Sequence, residues 1–158
     1  MPIAFDIDRR HNLVFEAHAG RVTLEEYARR TTGIVSHPDY YPGIRFLSDL
    51  TAMTGFENDP VGLMALQARL AEVLAPVTQD IFSVVIAPHP VAQKALGMIR
   101  GSWERQRIPV VYRLVADADM AADLLALPPA LVHDRLDALH RRLTPPAEEG
   151  EDRLPRTG

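Results

Sequence analysis

Asp49 and His89 are the residues of this sequence whose types and positions best fit acid–base chemistry. Asp49 follows the apolar run IRFLS, and His89 comes shortly after the run IFSVVIA. Each run predicts a strand, and open α/β sheets bind ligands at the carboxyl ends of their strands. An aspartate that orients a histidine makes a general base. The structural alternative is that Asp49 caps loop amides and His89 caps a helix beginning at Pro90. We favour this alternative, because no nucleophile accompanies the pair.

The six histidines do not predict a metal site. His133 and His140 are seven residues apart, which places them about 10 Å apart along a helix axis. That separation is too large for both side chains to bind one zinc ion directly. The sequence contains no cysteine, which excludes thiolate metal sites, disulfides and cysteine nucleophiles. We therefore expect neither a bound metal nor a cofactor.

The composition is that of an ordinary globular domain. Of 158 residues, 47% are hydrophobic and 24% are charged, and the formal net charge is -4. A nucleic-acid-binding module normally carries a basic face, so we expect no nucleic-acid partner. No apolar run reaches the ~20 residues that a transmembrane helix needs. The first residues also lack the pattern of a secretory signal, so the expected location is the cytoplasm.

Hydrophobic periodicity predicts the element order β-β-α-β-α-β-α-β-α-α. The runs IAFDID and LVFEAHA predict an amino-terminal hairpin, and Thr23 with Glu26 predicts a capping box for the first helix. Further strands are predicted at 44–50, 81–87 and 109–115, with a loop from residue 51 to Pro60. Helices are predicted to begin at Pro60, Pro90, Asp117 and Pro129. Strands that alternate with helices after a hairpin imply a mixed sheet with right-handed crossovers. Gly97 and Gly101 predict close packing of their helix on that sheet.

The passage SDLTAMTGFENDPVGLMAL resembles the signature of STAS domains, the sulfate-transporter and anti-sigma-factor-antagonist family. Asp49-Leu50-Thr51 matches its first part, and Asp59 with Gly62 matches its second. The hairpin, the GRVTLEEY helix start and the SHPDYYPGIRFLSDL passage are similar to the SpoIIAA-like (STAS/SEC14-type) branch. The resemblance implies an α/β fold of the SpoIIAA-like type, with a mixed five-stranded sheet, an N-terminal hairpin and covering helices.

The sequence departs from this family at two places. Pro60 stands where anti-sigma-factor antagonists carry a phosphorylatable serine, so no phosphorylation can occur there. Thr51 or Thr54 could supply a hydroxyl instead, although turn hydrogen bonding explains both residues equally well. The second departure is an extra C-terminal helix at 129–143, whose apolar stripe must pack on its own sheet or on a second subunit. We expect a single domain over 1–143, with a core of about 3–127, and a disordered tail over 144–158.

Two main functions follow from these features. The first is a non-catalytic regulatory or protein-interaction module in which Met53 and Phe56 would be exposed apolar contacts. Its predicted partner-binding residues are Asp49, Thr51, Met53, Thr54, Phe56, Asp59 and Gly62. The second is a carrier or sensor of a small apolar or lipid-like ligand between sheet and helices. A hydrolase-type enzyme using Asp49 and His89 ranks last, so we expect no enzymatic activity. A homodimer could form through the extra helix or an exposed sheet edge.

Overall fold

The computed structural model describes residues 2–74 and 78–144. Within these residues the chain forms five strands and five helices, in the predicted order. The strands are β1 (Ile3–Asp8), β2 (Leu13–Val22), β3 (Arg45–Phe56), β4 (Ile81–Ile86) and β5 (Val110–Val115). The helices are α1 (Leu24–Val35), α2 (Pro60–Leu74), α3 (Pro90–Arg105), α4 (Ala118–Leu125) and α5 (Pro129–Leu143). The strands form one sheet in the order β1-β2-β3-β4-β5. β1 is antiparallel to β2 and the other pairs are parallel, which confirms the predicted mixed sheet with an N-terminal hairpin.

Local hydrogen bonds fix where the helices begin. At α1, the Glu26 N–H donates to Thr23 Oγ1 at 3.2 Å, and the Thr23 N–H donates to Glu26 Oε2 at 2.9 Å. This reciprocal pair is the predicted capping box. His89 caps α3 and Asp117 caps α4, each by accepting a backbone N–H of the first turn. These caps satisfy amides that the helices cannot satisfy internally.

Helices cover both faces of the sheet. α4 and α5 pack on one face, where their apolar residues contact buried residues of the strands, including Leu13, Phe15, Leu47 and Val84. α1, α2 and α3 cover the other face. Val132, Leu136 and Leu139 of α5 are buried in the first of these layers. The apolar stripe of the extra C-terminal helix therefore packs on its own sheet.

β3 is longer than the sequence pattern predicted. Residues 51–56 belong to this strand, so the prediction of a loop there is wrong. The pairing of β2 with β3 slips twice, because Ala17 pairs with Asp49 but Ala19 pairs with Ala52, and a second shift follows between Gly20 and Arg21. At each shift β3 carries one extra residue, as in a β-bulge. The bulges place Leu50, Met53 and Phe56, which are three residues apart, against the same helical layer.

The longer strand also overturns the predicted exposure of Met53 and Phe56. Met53 is 3% exposed and belongs to the core under α3. Phe56 is partly buried, and its ring lies edge-on to that of Tyr27, with 6.3 Å between the centroids. These two side chains therefore form internal contacts and do not present an exposed apolar surface.

The predicted role of Gly97 and Gly101 is also wrong. A Cβ atom built at either position would meet no atom of the described residues within 4 Å. α3 instead contacts the sheet through the opposite side of the helix, which carries Ala92, Ala95 and Leu96. The packing of α3 on the sheet therefore gives no reason for a glycine at either position.

Two other expectations concern the ends of the chain and its hydropathy. The part of the predicted disordered tail that follows Thr144 lies outside the described residues. None of the helices in residues 2–74 and 78–144 combines the length and the apolar character needed to cross a bilayer.

Candidate ligand-binding cavity

The predicted acid–base residues have separate hydrogen-bond partners. Asp49 Oδ1 accepts the N–H and the hydroxyl of Thr51 at 2.9 and 2.5 Å, and Asp49 Oδ2 lies 2.8 Å from His140 Nε2. His89 Nδ1 accepts the Ala92 N–H at 3.2 Å, and His89 Nε2 lies 3.0 Å from the Thr51 carbonyl oxygen. His89 thus caps α3 as the structural alternative predicts, whereas Asp49 binds an amide within β3 and His140 on α5, and no hydrogen bond joins Asp49 to His89.

The other predicted partner-binding residues shape the start of α2. Asp59 Oδ1 accepts the Gly62 N–H at 2.9 Å, which caps the helix. Gly62 lies so close to α1 that a Cβ atom would stand 2.9 Å from Leu24 Cδ1. Thr51 and Thr54 are exposed on β3. The structure therefore gives Asp59 and Gly62 a local structural role.

A cavity of about 100 Å³ lies between the sheet and helices α1, α2 and α3. Its floor is formed by side chains that project from neighbouring strands on the same face of the sheet. Strand pairing brings them together, because Glu16 pairs with Ser48 and Ser83 pairs with Tyr112. The helical walls are largely apolar, with Ile34, Val35, Leu74, Leu96, Ile99 and Trp103 among the lining residues.

A buried ion pair forms part of the cavity wall. Arg30 Nε on α1 lies 2.6 Å from Glu16 Oε2 on β2. Glu16 is 0% exposed, and the side chain of Arg30 is 17% exposed. Ser48 Oγ donates to Glu16 Oε1 at 3.2 Å. Burial by itself would raise the pKa of Glu16, but its polar neighbours, chiefly the positive charge of Arg30, outweigh it and lower that pKa below its ordinary value. Glu16 is therefore a carboxylate at neutral pH.

His18 lies beside this ion pair and also lines the cavity. It is 4% exposed, and neither of its ring nitrogens has a hydrogen-bond partner among the described residues. Its Nε2 is 3.5 Å from Glu16 Oε2. Burial lowers the pKa of His18 below 6.5, and the positive charge of Arg30 lowers it further, against the opposing effect of Glu16. The imidazole is therefore neutral at neutral pH, with one N–H donor and one nitrogen acceptor.

Sequence reasoning missed Glu16, His18 and Arg30. Glu16 and His18 alternate with apolar residues in LVFEAHA, which is the pattern of a strand with one face in solvent. The charge of Arg30 predicts a position in solvent, yet its spacing of three residues from Tyr27 and four from Ile34 places it on the buried face of α1. The missing signal was the position of β2, which lies between β1 and β3 and is covered by helices on both faces. A polar side chain on such a strand is buried whichever way it points.

The sequence matches no protein-family model and no curated protein. Among solved structures, the chain is similar to an uncharacterised protein of the DUF3478 family with a SpoIIAA-like fold from Shewanella loihica PV-4. The two chains are 19% identical, with a TM-score of 0.51, and the match covers 78% of this chain and 93% of the other. At this identity the likeness shows the fold alone. The chain has a SpoIIAA-like α/β fold, which confirms the fold expected from the STAS resemblance.

Proposed function

We propose that this protein is a non-catalytic regulatory domain that carries or senses a small molecule bound between the sheet and helices α1–α3. The observation that carries the proposal is the cavity, in which the buried imidazole of His18 has no hydrogen-bond partner among the described residues. Native proteins rarely leave buried polar atoms unsatisfied, because each such atom costs about 1–3 kcal/mol. A bound molecule that hydrogen-bonds to His18 would remove that cost.

The chemistry of the cavity supports binding rather than catalysis. Ser48 Oγ donates to Glu16, so the hydroxyl contacts a carboxylate and does not contact the imidazole. The lowered pKa of Glu16 makes this carboxylate a weak base. The other candidate pair, Asp49 and His89, is occupied by backbone contacts and by His140. Among these groups no hydroxyl donates to an imidazole, so they lack the hydroxyl–histidine pair of many nucleophilic enzymes.

The size of the cavity favours a small molecule as its ligand. An engineered protein cavity of about 150 Å³ holds one benzene molecule. The cavity here, at about 100 Å³, is comparable or slightly smaller. A molecule of one ring or a short chain fits this volume, whereas a lipid with long acyl chains does not.

A cavity-filling substitution with a matched surface control tests this function. Val35→Phe places a ring at the half-buried end of α1 that lines the cavity, whereas Val73→Phe makes the same change at an exposed position of α2. Phenol and toluene serve as test molecules, and amide chemical shifts report binding. We expect at least one of them to shift residues around the cavity in the wild type and in Val73→Phe, with the shifts lost in Val35→Phe. The function is wrong if neither molecule binds, or if Val35→Phe binds as the wild type does.

Self-association is a second candidate function, favoured by the outer edge of the sheet. Among the described strands, β5 pairs with β4 alone, so no strand pairs with the backbone N–H and C=O groups along its other edge. Leu114 on this strand is 50% exposed. Unpaired edges of this kind readily pair with another chain, and two β5 edges could extend the sheet across a dimer.

Light scattering over a range of protein concentrations tests the dimer. We expect a dimer mass for the wild type and a monomer mass for Leu114→Lys, because a charged side chain blocks edge pairing. Val73→Lys is the control, since Val73 is 54% exposed on a helix away from the sheet edge. A monomer mass for the wild type at every concentration would remove this candidate.

A further inference from the structure

The charges around the cavity define which ligands it can accept. Among the described lining residues, the carboxylic acids and nitrogen bases are Glu16, Arg30 and His18. Glu16 and Arg30 neutralise one another across 2.6 Å, and burial keeps His18 uncharged. Tyr40 and Tyr112 also line the cavity, and burial raises the pKa of both phenols. The wall therefore carries no net charge, and an ionic ligand would be buried without a counterion of its own.

The hydrogen-bonding groups of the wall then define the polar part of the ligand. A neutral imidazole offers one donor and one acceptor, and both nitrogens of His18 lack a partner among the described residues. A hydroxyl group both donates and accepts, so it can exchange hydrogen bonds with the imidazole and with a neighbouring acceptor. Glu16 Oε2, 3.5 Å from His18 Nε2, is such an acceptor. A hydrocarbon of the same size would leave these polar atoms unsatisfied.

The remainder of the cavity fits an apolar group. Leu50 and Val85 of the strands lie on the same face as His18 and line the cavity from below. Leu96 and Ile99 of α3 line it from the helical side. Apolar surface transferred into such a site is stabilised by about 25 cal/mol per Å². Polar atoms at one end and apolar walls elsewhere favour an amphipathic ligand of matching shape.

We propose that the cavity binds a compact, neutral molecule that has an apolar body of about one ring and one hydroxyl group, with the hydroxyl bound to His18. This proposal rests on the proposed function, and it adds the chemical class of the ligand. A small phenol or a short-chain alcohol belongs to this class. A carboxylate, an ammonium ion or a plain hydrocarbon of the same size does not.

Four molecules of similar shape test the class: phenol, toluene, benzoate and benzylammonium. Their affinities are measured by calorimetry near neutral pH, and the ring nitrogen signals of His18 are followed by NMR. We expect phenol to bind at least about tenfold more tightly than each of the other three, because it alone is both neutral and able to hydrogen-bond to the imidazole. Phenol should also produce the change in the His18 ring nitrogen signals that a hydrogen bond causes, and toluene should not. Equal affinities for phenol and toluene, or tighter binding of either ion, would overturn the proposed ligand class.

Substitution of the histidine separates the ligand class from the function. In His18→Leu we expect toluene still to bind, with the preference for phenol reduced to about one, because the polar partner is gone. His133→Leu is the control, since His133 is exposed on α5 and should keep the wild-type preference. A preference for phenol that persists in His18→Leu overturns the role of His18. If His18→Leu does not fold, His18→Asn, which keeps a donor and an acceptor, should preserve a preference for phenol, and its loss there overturns the proposal. Failure of all four molecules to bind the wild type would instead remove the proposed function itself.

Discussion

His140 on α5 contacts Asp49 near the middle of β3, with 2.8 Å between Nε2 and Oδ2. The same carboxylate accepts two hydrogen bonds from Thr51, so it is held in place from both sides. Asp49 is 6% exposed, which means that this contact lies largely out of water. A second polar contact holds α5 at β1, where Arg135 donates to Asp6 and Asp8. α5 is therefore held on the sheet at two points beside its apolar stripe, by the contact of His140 with Asp49 and by the ion pairs of Arg135.

Removal of the His140 imidazole should weaken the attachment of α5. We expect His140→Ala to lower the free energy of unfolding by about 1.5–3 kcal/mol, the usual contribution of a hydrogen bond to a charged group. Urea denaturation measures this change. His133→Ala is the matched control on the same helix, because the pair of His133 with Asp119 is exposed and should change little. Equal losses in the two variants would contradict a specific role for the Asp49 contact.

The buried pair of Glu16 and Arg30 should be costly to break from one side. Arg30→Met leaves the Glu16 carboxylate buried without its cation, and we expect a loss of about 3 kcal/mol in the free energy of unfolding. Glu16→Leu with Arg30→Met removes both charges and should recover most of that loss, because the desolvation cost disappears. Chemical denaturation of the two variants measures the difference.

An exposed ion pair on the same helix provides the control for that experiment. Arg29 Nη2 lies 2.7 Å from Glu25 Oε1, and the two side chains are 60% and 80% exposed. Arg29→Met should change the stability little, because exposed pairs contribute little. If the double variant at Glu16 and Arg30 is as unstable as Arg30→Met alone, the buried charge is not the cause of the loss.

The lowered pKa of His18 should make the fold less stable in mild acid. Between pH 6.5 and the lower pKa of the folded protein, His18 is protonated in the unfolded chain and neutral in the folded one. The unfolded state then binds more protons, so the free energy of unfolding falls as the pH falls through this window. We expect this part of the decline to be absent in His18→Leu. Glu16 affects the stability at more acidic pH. Its contribution to the free energy of unfolding is complete above pH 4.5 and is lost as the pH falls through its lowered folded pKa.

His133 provides a control with the opposite sign. Its hydrogen bond to Asp119 raises its pKa above 6.5, so its contribution is present below that value and is lost as the pH rises through the folded pKa. His133→Leu should therefore keep the decline in acid that we attribute to His18. Urea denaturation at a series of pH values checks both variants. If the free energy of unfolding of His18→Leu falls as much as that of the wild type between pH 6.5 and the folded pKa of His18, the imidazole is not buried in its neutral form.

The order of elements could be predicted from the sequence because most segments follow one simple period. Apolar residues recur at helical spacing in α2 and alternate in β1, so each segment carries enough information by itself. The end of β3 could not be predicted in this way. Leu50, Met53 and Phe56 share a face of the sheet only because β3 contains two extra residues relative to β2. Bulges depend on the partner strand, and the partner strand is distant in the sequence.

The candidate site was hidden for a related reason. Glu16, His18 and Arg30 are ordinary surface residue types, and the alternation in β2 predicts that Glu16 and His18 face solvent. Their burial arises because α1 packs over that face of β2 and brings Arg30, on the same helix face as Tyr27 and Ile34, against Glu16. The alternation within β2 carries no sign that a helix covers this face. Asp49 and His89 attracted attention because they follow strands, yet their positions are explained by local capping.

Gly62 and Gly97 should respond in opposite ways to the same substitution. In Gly62→Ala the new Cβ would fall on the carboxylate of Asp59 and 2.9 Å from Leu24 Cδ1. The cap of α2 and its contact with α1 must then shift, and we expect a loss of about 1 kcal/mol or more in the free energy of unfolding. Gly97→Ala meets no atom of the described residues within 4 Å and lies inside α3. It should instead stabilise the fold by about 0.5–1 kcal/mol, because alanine favours the helix. Thermal or urea unfolding of both variants measures the difference, and a stabilising Gly62→Ala would show that the start of α2 is not closely packed against α1.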